Sequence, residues 1–273
     1  MKKNINKGED DGVSEVVGFI IILGIMMMGI GLVTLYGYPQ LVKEQANANA
    51  KNMERNMIVI QNDIKSLTNK NVPFQETSIQ VSGGTLMVVN PEDAVPTDPY
   101  FRFLKDSIPI ELSPGTTEFH PGELRYFSSE NNAIIGLQNG AVNLHYFSQP
   151  GSVMIADPRW FYDTDTNTTV VTFIRIHSIG EKSQTGIGTI QMKVDQLYPV
   201  YDTANDPLIT GPFPIVVEYI DPEDNYKKAW SNFFQDKRIF PINENSDPSV
   251  SELEIPGVKR LVIKSYDIEI INL

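Results

Sequence analysis

Between Val16 and Tyr38 the sequence carries no charged residue for 23 consecutive positions. At about 1.5 Å per residue a helix of that length extends roughly 35 Å, enough to cross a hydrocarbon layer of about 30 Å with slight tilt. The run is too long for the apolar region of a cleaved secretory signal, about 7 to 15 residues. It reads as a transmembrane helix. Tyr36 and Tyr38 put amphipathic rings at its far end, and Pro39 follows where a kink is tolerated. Lys2, Lys3 and Lys7 precede the span, while Glu9, Asp10 and Asp11 count for little in the orientation rule. The N-terminus is therefore expected in the cytoplasm and everything beyond Tyr38 outside the cell. Ala46-Asn47-Ala48 and Ala48-Asn49-Ala50 offer small-x-small cleavage sites, but they lie several residues beyond the apolar run.

Past the span, Ala46, Ala50, Met53, Met57, Ile60, Ile64 and Leu67 recur at alternating spacings of four and three, the mark of one apolar helix face. Asn47, Lys51, Glu54, Arg55, Asn62 and Lys65 occupy the other face, and the pattern stops between Asn69 and Pro73. From Pro73 onward the period changes to two, with turn residues every eight to twelve positions. Ser82-Gly83-Gly84 and Asn139-Gly140 both predict hairpins, because Gly and Asn accept the positive φ of tight turns. Ile190, Met192 and Val194, and again Ile215, Val217 and Tyr219, alternate as in half-buried strands. Leu261 and Ile263 lie on one phase but Tyr266, Ile268 and Ile270 on the other, which predicts a bulge near Lys264 or Ser265. One helix is expected near 222–236. Asp221-Pro222 would supply its cap and first turn, and Tyr226, Trp230, Phe233 and Phe234 its apolar face, packed on a sheet. The fold class is mainly β with a long N-terminal α-helix: an antiparallel, β-sandwich-like extracellular head on a transmembrane helical stem whose second half packs on or supports the head.

The 22 basic residues stand against 34 acidic ones, a formal charge of −12, which argues against a surface that tracks nucleic-acid phosphates. With no cysteine, disulfides, thiolate zinc sites, iron–sulfur clusters and cysteine nucleophiles are excluded. His120, His145 and His177 are scattered, with no pair at metal-ligand spacing, and no nucleophile elbow, phosphate loop or His-Glu-x-x-His helix occurs. No enzyme activity and no cofactor is expected. Asp163, Asp165 and Asn167 alternate oxygen ligands as a calcium loop begins, but Thr168 stands where such a loop needs Gly and Ile174 where it needs Glu. Asp221, Glu223 and Asp224 form a weaker acidic cluster. Asn167-Thr168-Thr169 is a sequon, so Asn167 is a glycosylation candidate if the domain is outside the cell. In Trp160-Phe161-Tyr162 alternation sends neighbours to opposite faces and leaves one ring a candidate for exposure.

The string Gly12-Val13-Ser14-Glu15-Val16-Val17-Gly18-Phe19 resembles the class III signal of archaeal type IV pilins and pilin-like proteins. The segment Gly136 to Pro158 resembles, more loosely, the β domain of pilin-like proteins from halophilic and methanogenic archaea, mostly of undefined function. The resemblance implies that a prepilin peptidase cuts between Gly12 and Val13 on the cytoplasmic side and that the span is retained. Asp10 and Asp11 depart from the basic residue usual before that bond, and Glu15 stands where many members have Pro. A carboxylate at the edge of an apolar span seeks a cation. The new α-amino group of Val13 in a neighbouring subunit would provide one, while Gly18, Gly24, Gly29, Gly31 and Gly37 would allow spans to approach closely. The expected organisation is a cytoplasmic leader at 1–12, a transmembrane helix and stem at 13–72 with the span at 16–38, and an extracellular β domain at 73–273. The expected function is a pilin-like structural subunit whose partners are membrane lipid, like subunits and the peptidase. The alternative is an uncleaved, monomeric, membrane-anchored module that binds a ligand, ion or envelope component.

Overall fold

The computed structural model describes residues 9–70, 72–91, 98–112, 116–198, 200–205, 212–236 and 250–273. Residues 1–8, most of the expected leader, lie outside them. The chain divides into two compact units, Met1–Ala48 and Asn49–Leu273.

The first unit is helical. Helix α1 spans Glu9–Leu32, a π-helical turn follows at Val33–Gly37, and helix α2 runs Tyr38–Lys70. Helix thus begins ahead of the expected span, and Gly12 and Val13 already lie within it. Every large apolar side chain from Val16 to Tyr38 is exposed, on all sides of the helix, and the segment is long and apolar enough to cross a membrane. The π turn has a local cause. Pro39 has no N–H to donate and its ring crowds the carbonyl of Leu35, and the preceding turn widens so that the Tyr38 N–H reaches back five residues to Val33 O. Thr34 satisfies its hydroxyl on Ile30 O at 2.9 Å.

In the second unit the strands are β1 (Phe74–Val89), β2 (Tyr100–Lys105), β3 (Ile108–Pro109), β4 (Glu118–Phe119), β5 (Glu123–Ser128), β6 (Ala133–Gln138), β7 (Ala141–Tyr146) and β8 (Ser152–Ala156). They continue as β9 (Phe161–Asp163), β10 (Thr168–His177), β11 (Ser183–Leu197), β12 (Tyr201–Asp202), β13 (Phe213–Ile220), β14 (Val250–Val258) and β15 (Arg260–Asn272), with helix α3 (Lys227–Asp236) before β14. The large sheet runs β8-β7-β6-β5-β1-β11-β15-β10-β9 with β12 on β15, and the small sheet runs β14-β13-β2-β3 with β4 on β2. The fold is mainly β after a long N-terminal helix, and its pairs are antiparallel except β10 with β15, which run parallel.

Both faces of the large sheet are covered. On one face Met53, Met57, Ile60, Ile64 and Leu67 of α2 pack against apolar residues of β1, β5, β6, β7, β10, β11 and β15. The boundary between units therefore falls at Ala48 and not at the change of sequence period near 72, because the second half of α2 completes the sheet's core. On the other face, the small sheet and α3 enclose an aromatic core of Phe101, Phe103, Phe119, Phe173, Tyr219, Trp230, Phe233 and Phe234. The aromatic face expected of α3 is buried there.

Two-sided burial also explains the phase change in β15. Leu261 and Ile263 face the aromatic core while Ile268 and Ile270 face α2, so alternation never breaks. Pairing with β10 runs without a shift from Arg260 to Glu269, and the expected bulge near Lys264 is absent; the irregularities lie in the ladder with β11, one in β11 between Val194 and Gln196 and one opposite Gln191 and Met192, where Ile271 is the extra residue of β15. Asn139-Gly140 closes the β6–β7 hairpin with φ of 49° and 72°, as a two-residue turn of the expected kind requires. Ser82-Gly83-Gly84 does not close a hairpin. It is a bulge inside β1, which pairs with β11 on both sides of it. Gly83 takes φ +69°, a Cβ on Gly84 would overlap Phe127 O and the Tyr126 ring, and β5 satisfies the bulge through Tyr126 Oη to Ser82 O at 2.7 Å.

Candidate functional site

The residues singled out in the sequence do not converge. Gly12 and Val13 are helical, and Glu15 is exposed with no hydrogen-bond or ion-pair partner among the described residues. Asp163, Asp165 and Asn167 form the turn between β9 and β10. There the Asp163 carboxylate accepts from the Asp165 N–H at 3.0 Å and the Thr166 hydroxyl at 2.8 Å, and these bonds hold it below the usual carboxylate range. Asn167 takes φ 52°, its Oδ1 accepts the Tyr162 hydroxyl at 2.8 Å, and its carbonyl accepts from Lys259 N–H at 2.9 Å. These oxygens hold the turn and its junction with β15, and no cluster of three metal-ligating side chains occurs among the described residues. Phe161 is the exposed ring of its run, with Trp160 and Tyr162 packed on the aromatic core.

Histidines are equally dispersed. His145 Nδ1 lies 3.0 Å from Gly151 O, His177 Nε2 lies 3.8 Å from Asp195, and His120 Nε2 lies 3.8 Å from Glu118.

A polar site does exist where the aromatic core meets the start of α3. Glu123 on β5 points to the same face as Arg125 and Gln138, into the interior, at 2% exposure. Arg125 clasps its Oε2 through Nη2 at 2.8 Å and Nε at 3.1 Å, and the Tyr226 hydroxyl donates to its Oε1. The Glu123 charge pushes the Arg125 guanidinium further into its protonated range. Gly136, on the neighbouring strand, has no room for a Cβ, which would overlap Glu123 Oε1 and the Tyr226 hydroxyl. Asp221, at 1% exposure, accepts the Tyr226 N–H at 2.8 Å and lies 3.2 Å from the Tyr219 hydroxyl, itself 3.0 Å from Gln138 Oε1. Burial pushes the Asp221 carboxyl up, and Tyr219 and Tyr226 rise well above the usual phenol range for the same reason.

Asp221 thus does not cap a helix starting at Pro222. It ties down a turn, and α3 starts at Lys227 with its first bond from Trp230 N–H to Tyr226 O at 3.0 Å. A pocket of about 100 Å³ opens over this network, lined by Glu123, Arg125, Asp221, Glu223, His120 and Asp98 among others. Sequence reading singled out Asp221 and Glu223 but missed Glu123 and Arg125. The available signal was a Glu placed on the same strand as two buried neighbours, Leu124 and Tyr126.

One family model matches the chain over residues 12–271, nearly its whole length. The chain belongs to DUF7289, a family of unknown function. No curated protein and no solved structure matches it. Membership in DUF7289 takes in both the apolar helix and the β unit, since the match begins at Gly12 and ends within β15.

Proposed function

We propose that this chain is a pilin-like structural protein of the archaeal cell surface, a single-pass membrane protein with its N-terminus in the cytoplasm and its β unit outside. The observation that carries the reading is the uncharged segment Val16 to Tyr38, helical and exposed on every side. A helix apolar all round needs lipid or other apolar spans to cover it. The class III-like string at Gly12 to Phe19 lies at the entrance to that helix. In this reading prepilin peptidase cuts at Gly12–Val13, and Glu15 pairs with the Val13 amine of a neighbour as spans pack side by side. An outward-facing β unit also brings the Asn167 sequon to the side where glycosylation occurs.

A second reading, the uncleaved binding module, is favoured by the pocket over Glu123 and Asp221. N-terminal peptide sequencing of the native protein separates the two. A first residue of Val13 is expected; an intact Met1 would turn the assignment to the anchored module, and a start at Asn49 or Lys51 would refute both. The same digest reads the Asn167 peptide for added mass, and electron microscopy of material sheared from cells tests for filaments.

A further inference from the structure

Strand β1 is paired on both sides only in its second half. Residues 74–81 pair with β11 alone, and β5 reaches only residues 85–89. Alternate residues of the first half therefore turn N–H and C=O groups to an open side, where no strand meets them among the described residues. The other edges described in this unit are blunted. Strands β3, β4, β9 and β12 are two or three residues long. Helix α3 packs against β8 and β14, and β14 carries Pro256. Beyond β9, strand β10 is capped at alternate residues: Thr172 O accepts from Trp160 Nε1, and the N–H groups of Ile174 and Ile176 donate to Asn139 Oδ1 and Pro121 O. On β11, Gln184 Nε2 donates to the carbonyls of Thr185 and Ile187. The first half of β1 carries none of these devices. Residues 74–81 include no Pro, Gly or Lys, Glu76 is their one charge, and the bulge begins only at Ser82. A groove of about 270 Å³ runs beside this edge, lined by Asn49, Asn52, Arg55 and Asn56 of α2 and by Ser78 and Gln80.

We propose that residues 74–81 pair antiparallel with the same residues of a second copy, joining the large sheets of two β units across a twofold axis. The occupant is a second copy through this edge because the chain's other described edges are too short, covered or capped to offer a strand in return. The sequence of the edge suits self-pairing. Centred on Ser78, the pairing sets Glu76 opposite Gln80 of the other copy, so no like charges oppose one another. Thr77 then stands opposite Ile79, on the face that α2 covers. The amides of Asn52 and Asn56 and the Arg55 guanidinium border the space that the added strand takes up. The contact lies within the β unit and stands apart from cleavage and from the packing of spans.

The full chain in detergent micelles is sedimented over a range of concentrations, and a dimer is expected. The chain has no cysteine, so Ser78→Cys introduces a single thiol at an exposed position. Residues directly opposite in an antiparallel pair have Cα atoms about 4.5–5.5 Å apart, within the reach of a disulfide. Mild oxidation should therefore link Ser78→Cys into covalent dimers and leave Thr164→Cys, at the exposed turn between β9 and β10, monomeric. Ser78→Glu meets its own copy directly and Glu76 of the other copy on the diagonals. It should weaken association about tenfold with an unchanged melting curve. Mixing it with Ser78→Lys should restore dimers that contain one copy of each. A monomer at all concentrations overturns the proposal and gives the edge to an extended segment of another protein. No covalent dimer from Ser78→Cys, as much from Thr164→Cys, or an association that Ser78→Glu leaves unchanged, as one held by the spans alone would be, overturns it too.

Discussion

Removing the Tyr226 hydroxyl tests whether the network under the pocket holds the β unit together. In Tyr226→Phe the ring keeps its place, and the Tyr226 N–H bond to Asp221 survives because it belongs to the backbone. What is lost is one hydrogen bond to the buried Glu123 carboxylate, whose other oxygen remains occupied by Arg125. Bonds to ionised groups contribute about 1.5–3 kcal/mol each. For a unit of this size each kcal/mol moves the melting temperature by about 2–4 °C, so the expected drop is about 3–12 °C. Trp160 and Trp230 sit in the aromatic core next to α3, with ring centroids 5.6 Å apart, so their fluorescence during thermal or urea unfolding of the full chain in detergent reports on the region perturbed. Tyr162→Phe is the comparison. Its hydroxyl donates to the neutral Asn167 amide at a half-buried turn where water replaces it, and its cost should stay at or below about 1 kcal/mol. A Tyr226→Phe protein within about 0.5 kcal/mol of the parent, or no less stable than Tyr162→Phe, would refute the assignment of this network as a major contributor.

Gln61, 2% exposed on the apolar face of α2, donates Nε2 to Gly140 O at 2.6 Å and Asp157 O at 3.0 Å. Gln61→Leu keeps the volume but strips the buried Gly140 carbonyl and the partly buried Asp157 carbonyl of this donor, and urea titration should show a loss of about 1–3 kcal/mol; a neutral result would mean that water reaches both. Glu252 stands directly opposite Glu218, and burial, then the charges of Glu218 and Glu254, raise its carboxyl above the unfolded value. Because the folded value is the higher one, ionised Glu252 costs stability at neutral pH and the cost is relieved as pH falls through the folded pKa. Glu252→Gln should therefore stabilise by about 0.2–1 kcal/mol at pH 7 and low salt, with the gain shrinking in high salt and vanishing in acid. Melting curves over pH 3.5 to about 7.5 read this, and a gain that persists in acid would contradict it.

What could be read from the sequence follows how far apart the partners are in the chain. Asn139-Gly140 declares its turn because everything the turn needs lies in two residues with φ of 49° and 72°. Ser82-Gly83-Gly84 looks alike locally, yet its meaning depends on β5, whose Tyr126 and Ser128 side chains bond to the carbonyls of Ser82 and Gly83 from more than forty positions away. The apolar stripe of α2 was legible as a helix face. Which strands it covers was not, since an apolar face specifies that something covers it and not what does. The same limit turned the phase change between Ile263 and Ile268 into an expected bulge: alternation reads one buried face, whereas β10 and β15 are covered first on one side and then on the other. The pocket lies furthest from local reading. Glu123 and Tyr226 are 103 positions apart, and each looks ordinary alone, one a charged residue in a strand and the other an aromatic before a helix. Burying a carboxylate is tolerable only with partners that the folded topology brings to it, here Arg125 from its own strand and Tyr226 from the start of α3. Sites assembled in this way are where a mainly β unit has room for chemistry that its motifs do not announce.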